Sequence, residues 1–132
     1  MADSKFTPFA IITNFSSIRD VGRKAEELAK KAYPSESQAT RERDAYRHLV
    51  WQAMLAKQYG PDVAATIGNL HESKYIPIIG GMGQPESQRE MDLYNNQLGR
   101  SIQYSSPEEL DKIIQGYILS NKAKLDAEAG TY

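Results

Sequence analysis

Apolar residues recur at intervals of three and four along most of this chain, and prolines and glycines fall where the runs break. That spacing gathers each run onto one stripe of a helix. Ile18, Val21, Ala25, Leu28 and Ala32 form the first stripe, with Ser16 or Ser17 as cap and Tyr33-Pro34 as stop. A second helix is predicted from Ser37–Thr40 to Tyr59. Its Ala45, Leu49, Val50, Trp51, Met54 and Leu55 lie on more than one side, as suits a central helix. Gly60-Pro61 closes it and opens a third, Pro61 to about Glu72, with Val63, Ala64, Ile67, Leu70 and His71 turned inward.

Lys74 to Pro85 is rich in both glycine and apolar residues, and the expectation is an ordered loop folded over the bundle. Ser87-Gln-Arg-Glu90 matches a capping box and opens a fourth helix, with Met91, Tyr94, Leu98 and Ile102 as its apolar stripe. Ser106-Pro-Glu-Glu109 repeats the start signal for a fifth, built on Leu110, Ile113, Ile114 and Tyr117. The predicted fold is therefore all-α: one compact bundle of about five helices over residues 1–132. Residues 1–15 are read as an N-terminal arm and 123–132 as a frayed tail.

A chain of 132 residues is long enough to bury a real core. Its formal net charge of -1 gives no field that would draw it to nucleic acid or an anionic membrane. Cysteine is absent, which removes disulfides, thiol nucleophiles and thiolate metal ligands together. The apolar run Phe6–Thr13 is too short to span a bilayer and lacks the flanks of a signal peptide. The expectation is a soluble protein.

Against that apolar frame, several ionisable groups point inward. Asp44 and His48 are one helical turn apart and share a face, so Asp44 can fix the His48 tautomer or join it on a metal. His71 lies on the inward side of the third helix, with Glu72 beside it. Asp92, Asn95, Asn96 and Gly99 line a second face of the fourth helix, and Gly99 admits close approach of another backbone or a substrate. Convergence of these helices offers two chemistries. In one, His48, His71 and Asp92 or Asp44 hold a divalent metal such as zinc or manganese, and Glu72 is the base. In the other, no metal is used: Glu72 is a general acid and Asp92 balances developing positive charge, as in glycoside hydrolysis. Arg47 and Arg100 suit an anionic group in either case.

A purely structural role competes with both. Asp44 and His48 can form a satisfied buried pair, Asn95 and Asn96 can bridge helices, Trp51 can be core, and Arg100 can complement a helix dipole. His71-Glu72 does not continue as a zincin motif, and no phosphate loop, nucleophile elbow or dinucleotide fingerprint is present.

The blocks Asp44-x-x-Arg47-His48-x-x-Trp51, His71-Glu72 and Met91-Asp92-x-x-Asn95-Asn96-x-x-Gly99-Arg100 together resemble an α-helical domain family of phage proteins and secreted, toxin-associated bacterial proteins. The resemblance covers Asp44 to Arg100. It implies that Arg47, His48, Trp51, His71, Glu72, Asp92, Asn95, Asn96 and Arg100 belong to one constellation, and that the protein is phage or bacterial. The resulting expectation is a small hydrolase acting on a bacterial envelope component, peptidoglycan or phospholipid. Glu72, His48, His71 and Asp92 would be catalytic, and Arg47, Trp51, Asn95, Asn96 and Arg100 would bind substrate. The alternative is a non-catalytic virion or host-factor-binding protein, placed in the host cytoplasm or the virion.

Overall fold

A computed structural model describes residues 15–38, 41–71 and 86–125. Residues 1–14, 39–40, 72–85 and 126–132, among them Glu72 and the stretch Lys74–Pro85 expected to be an ordered loop, lie outside the described residues. Within them are helices α1 (Phe15–Ala32), α2 (Glu42–Tyr59), α3 (Pro61–His71), α4 (Glu86–Arg100) and α5 (Pro107–Leu119), plus a 3-10 turn at Glu36–Gln38. The all-α expectation holds. No helix among the described residues is long and apolar enough to cross a membrane.

Helix α2 is the axis of the molecule and packs against each of the other four. Nine of its 18 residues are buried, more than a single amphipathic stripe supplies. Leu49, Val50 and Leu55 fill its centre, and Ala25 and Ala29 of α1 meet it with no side-chain bulk to hold the helices apart. On another side Leu110, Ile114 and Ile118 of α5 complete the apolar core. Gly60 ends α2 with a φ of 97°, a left-handed conformation open to glycine, and its N–H bonds Ala56 O at 2.9 Å. Ser106 caps α5 by accepting from the Glu109 N–H at 3.1 Å, and the Glu109 carboxylate reaches back to Ser105.

One polar bond ties this core together from inside. Tyr46 is 2% exposed, and its hydroxyl donates to the Asp111 carboxylate on α5. Burial and that bond raise the phenol above its ordinary pKa. Tyr46→Phe leaves Asp111 with Gln115 as its remaining partner among the described residues. A hydrogen bond to a charged group is worth about 1.5–3 kcal/mol, so the urea midpoint should fall by that equivalent with an unchanged slope.

Three expectations change on contact with the fold. Leu70 is 53% exposed rather than turned inward, and His71 beside it is exposed as well. The tail stays packed through residue 125: Asn121 reverses the chain at a φ of 65°, Ala123 is buried, and Asn95 grips the Lys124 backbone with both side-chain atoms (2.8 and 2.9 Å). The largest change is on α4. Its buried face is the polar one, Asp92, Asn95, Asn96 and Gly99, while Tyr94 is exposed and Met91 and Leu98 lie at the margin. Gly99 explains how. A Cβ there would stand 2.6 Å from the Leu49 carbonyl oxygen, so only a bare backbone lets α4 seat its polar side against α2.

Candidate metal centre

Seating α4 on that face carries Asp92 and Asn96 onto His48, 1% exposed in the middle of α2. Arg47 Nη2, a donor in any protonation state, lies 3.3 Å from His48 Nε2. Nε2 therefore presents its lone pair, Nδ1 carries the proton, and Nδ1–H donates to Asn96 Oδ1 at 2.9 Å. Burial, opposed by Asp44 and assisted by Arg47, pushes the imidazole pKa down to about 4. That shift favours the neutral ring, whose Nε2 lone pair faces Arg47.

Two carboxylates close on the same atom. Asp92 Oδ1 is 3.5 Å from Nε2 and Asp44 Oδ2 is 3.8 Å away. Asp44, His48 and Asp92 each offer one ligand atom, and the three atoms lie within 4.8 Å of one another. Around one ion, with bonds of about 2.0–2.2 Å, ligand atoms sit roughly 3.0–3.6 Å apart. The cup thus fits a divalent cation after a small contraction. Helix periodicity supplies Asp44 and His48 on one face of α2, and only the tertiary contact with α4 adds Asp92. Asn96 is the outer partner that sets the ring's tautomer and angle.

Among the described residues, Arg47 places a cation at the cup. Its Nη2 donates to Asp44 Oδ1 at 3.0 Å as well as to His48 Nε2. It stands at the mouth, partly exposed, as Asp44 does. His48 and Asp92 are closed off below.

The sequence matches the family described as a domain of unknown function (DUF6973) over residues 8–125. The chain belongs to the DUF6973 family. No curated protein and no solved structure matches it. The DUF6973 match takes in all five helices, including α1 and α5, which carry none of the spaced motif blocks.

Of the expected site residues, Asp44, Arg47, His48, Asp92 and Asn96 come together in this DUF6973 chain. His71 does not join the three ligand atoms. Its ring packs edge-on against His48 (6.0 Å between centroids) and against Trp51 (5.2 Å), at the surface end of α3. Its pKa is lowered by burial of the ring and by the nearby His48 and Arg47. Asn95 is fully buried and bonded to the Lys124 backbone rather than to the three ligand residues. Arg100 donates to Gln52 Oε1 at 2.8 Å and borders a different cleft, with Ile102 and Tyr104. Glu72, expected as the base, lies outside the described residues.

Periodicity alone missed Gln52, fully buried one turn beyond His48, and the α1 residues Arg19, Gly22 and Arg23, which face Trp51 and His71 across a groove of about 380 Å³. Gly22 was the available signal: a residue without a side chain in mid-helix, opposite an indole.

Proposed function

We propose that this chain is a small divalent-metal-dependent hydrolase, with Asp44, His48 Nε2 and Asp92 as the protein ligands. The observation that carries the reading is the convergence of two carboxylates on His48 Nε2, whose ring is held by the Nδ1 bond to Asn96. Arg47 offsets the charge of Asp44 here, and a divalent ion would serve both carboxylates and the imidazole at once. One imidazole with two carboxylates suits zinc, manganese or iron(II).

A divalent ion supplies Lewis acidity there, polarising a carbonyl or phosphoryl oxygen and acidifying water. The chain's own residues do the rest. Three protein ligands would leave such an ion able to take water or substrate, and Asp44 and Arg47 are the members of the cluster that reach solvent. Asn96 holds the ring so that Nε2 stays aimed at the cup. Trp51 and His71 form the wall beside it. The phage or bacterial setting implied by the motif blocks makes phospholipid and peptidoglycan the first substrates to test.

A second reading has its own support. The His48–Asn96 bond and the Asn95 grip on Lys124 join segments distant in sequence, as they would in a non-catalytic virion or host-binding protein with a structural polar core.

Metal content of untagged protein, with melting curves before and after a chelator, tests the proposal. Near-stoichiometric zinc, manganese or iron, lost together with thermal stability, is expected. Phospholipid or peptidoglycan hydrolysis should then stop in chelator and resume on reloading. Protein that carries no metal and does not respond to added Zn²⁺ or Mn²⁺ would overturn it.

A further inference from the structure

The groove between α1 and α2 is lined by Arg19, Arg23, Arg47, Glu26, Trp51 and His71; Arg23 is paired with Asp20 and Arg47 with Asp44. The Trp51 indole Nε1 lies 3.9 Å from the point where a Gly22 Cβ would stand, and Trp51 makes no hydrogen bond among the described residues. This face therefore offers an indole N–H, and the Arg47 guanidinium once it leaves Asp44, to an anion entering beside the metal cup.

Arg47 connects the two places. Its Nη2 is bonded to Asp44 Oδ1 and His48 Nε2, so it engages the cup through the ligand nitrogen and the Asp44 carboxylate that an ion would take. Arginine and ion exclude one another there, by contact and by charge. A guanidinium displaced from the cup has the adjoining groove open to it, since Arg47 already forms part of that wall.

We infer that Arg47 is a built-in stand-in for the metal, and that metal loading turns its guanidinium into the groove to complete a subsite for a phosphate-type anion. This rests on the metal reading above and adds a substrate class to it, a phosphoester whose anionic group lies between the ion and Arg47. The cup and the groove are then coupled: each ligand favours the Arg47 position that the other requires.

The test is calorimetric titration of wild type and Arg47→Met with Mn²⁺ alone, then with inorganic phosphate before and after Mn²⁺ loading. Arg47→Gln serves as a second variant if Arg47→Met does not fold. Relief of competition should tighten Mn²⁺ binding about tenfold in Arg47→Met, the size of an ordinary coupling between sites. Phosphate should bind Mn²⁺-loaded wild type at least about tenfold better than the metal-free protein, and the substitution should remove that gain. Mn²⁺ binding that is unchanged or weaker in the variant, or a phosphate gain that survives in it, overturns the role of Arg47 and leaves the metal site standing. Failure of every protein to bind Mn²⁺ or Zn²⁺ overturns the metal reading and this inference together.

Discussion

Gly99→Ala is expected to destabilise the protein by about 3 kcal/mol, roughly 10 °C in melting temperature for a chain of this size. The added Cβ would meet the Leu49 carbonyl oxygen at 2.6 Å and the Leu49 Cα at 3.0 Å. Both are backbone atoms in the middle of α2, so neither can rotate away, and the helices must separate instead. Separation lifts Asn96 and Asp92, one and two turns earlier on α4, away from His48. Loss of stability should therefore come with loss of metal affinity. Gly116→Ala is the internal control. It sits in α5 with nothing within 4 Å of the new Cβ, and the higher helix propensity of alanine should stabilise by about 0.5–1 kcal/mol. If Gly99→Ala melts at or above wild type, α4 does not lie against α2 in the way described.

The same contact shows where sequence reading succeeds and where it stops. Helix count, the central position of α2 and the Gly60-Pro61 corner follow from local signals, and they are legible because periodicity and caps act within a few residues. The orientation of α4 is not of that kind. Apolarity selects Met91, Tyr94 and Leu98 as its inner side, yet the buried side is Asp92, Asn95, Asn96 and Gly99. Their partners are His48 Nδ1, 48 positions away, and the Lys124 backbone, 29 away from Asn95. Burial of a polar face is favourable only when each group finds such a partner, and no local pattern reports that. The packed chain end has the same cause. Residues from 123 on read as a fraying tail in the sequence, yet Asn95 holds the Lys124 backbone. For the site, spacing on α2 placed Asp44 with His48, and the blocks joined Asp92 and Asn96 to them only as a set. Tertiary geometry then separated these four from Asn95 and Arg100, which share the motif and serve the scaffold.

Asp92→Asn should separate the catalytic from the structural account by the sign and source of its effect. The amide keeps the shape of the carboxylate and removes its charge. In a metal site that charge is held for the ion, so metal-free Asp92→Asn should melt within about 1 kcal/mol of wild type. The loss appears only on loading. Ligand removal should weaken metal binding by more than the 10–100-fold typical of outer-shell changes. An ion at a hundred times its dissociation constant stabilises wild type by about 2.7 kcal/mol, and after a hundredfold weakening the same concentration gives about 0.4 kcal/mol. Melting curves of both proteins with and without Mn²⁺ read this directly. A structural polar core predicts the reverse pattern. Breaking a buried charged contact would lower the metal-free stability by about 3–5 kcal/mol, with no ion response in either protein. Asp44→Asn extends the comparison to the mouth of the cup. Asp44 is the partner of Arg47, so its removal frees the guanidinium as well as a ligand position. Metal affinity should fall as for Asp92→Asn, and the smaller burial of Asp44 makes the change in metal-free stability the milder of the two.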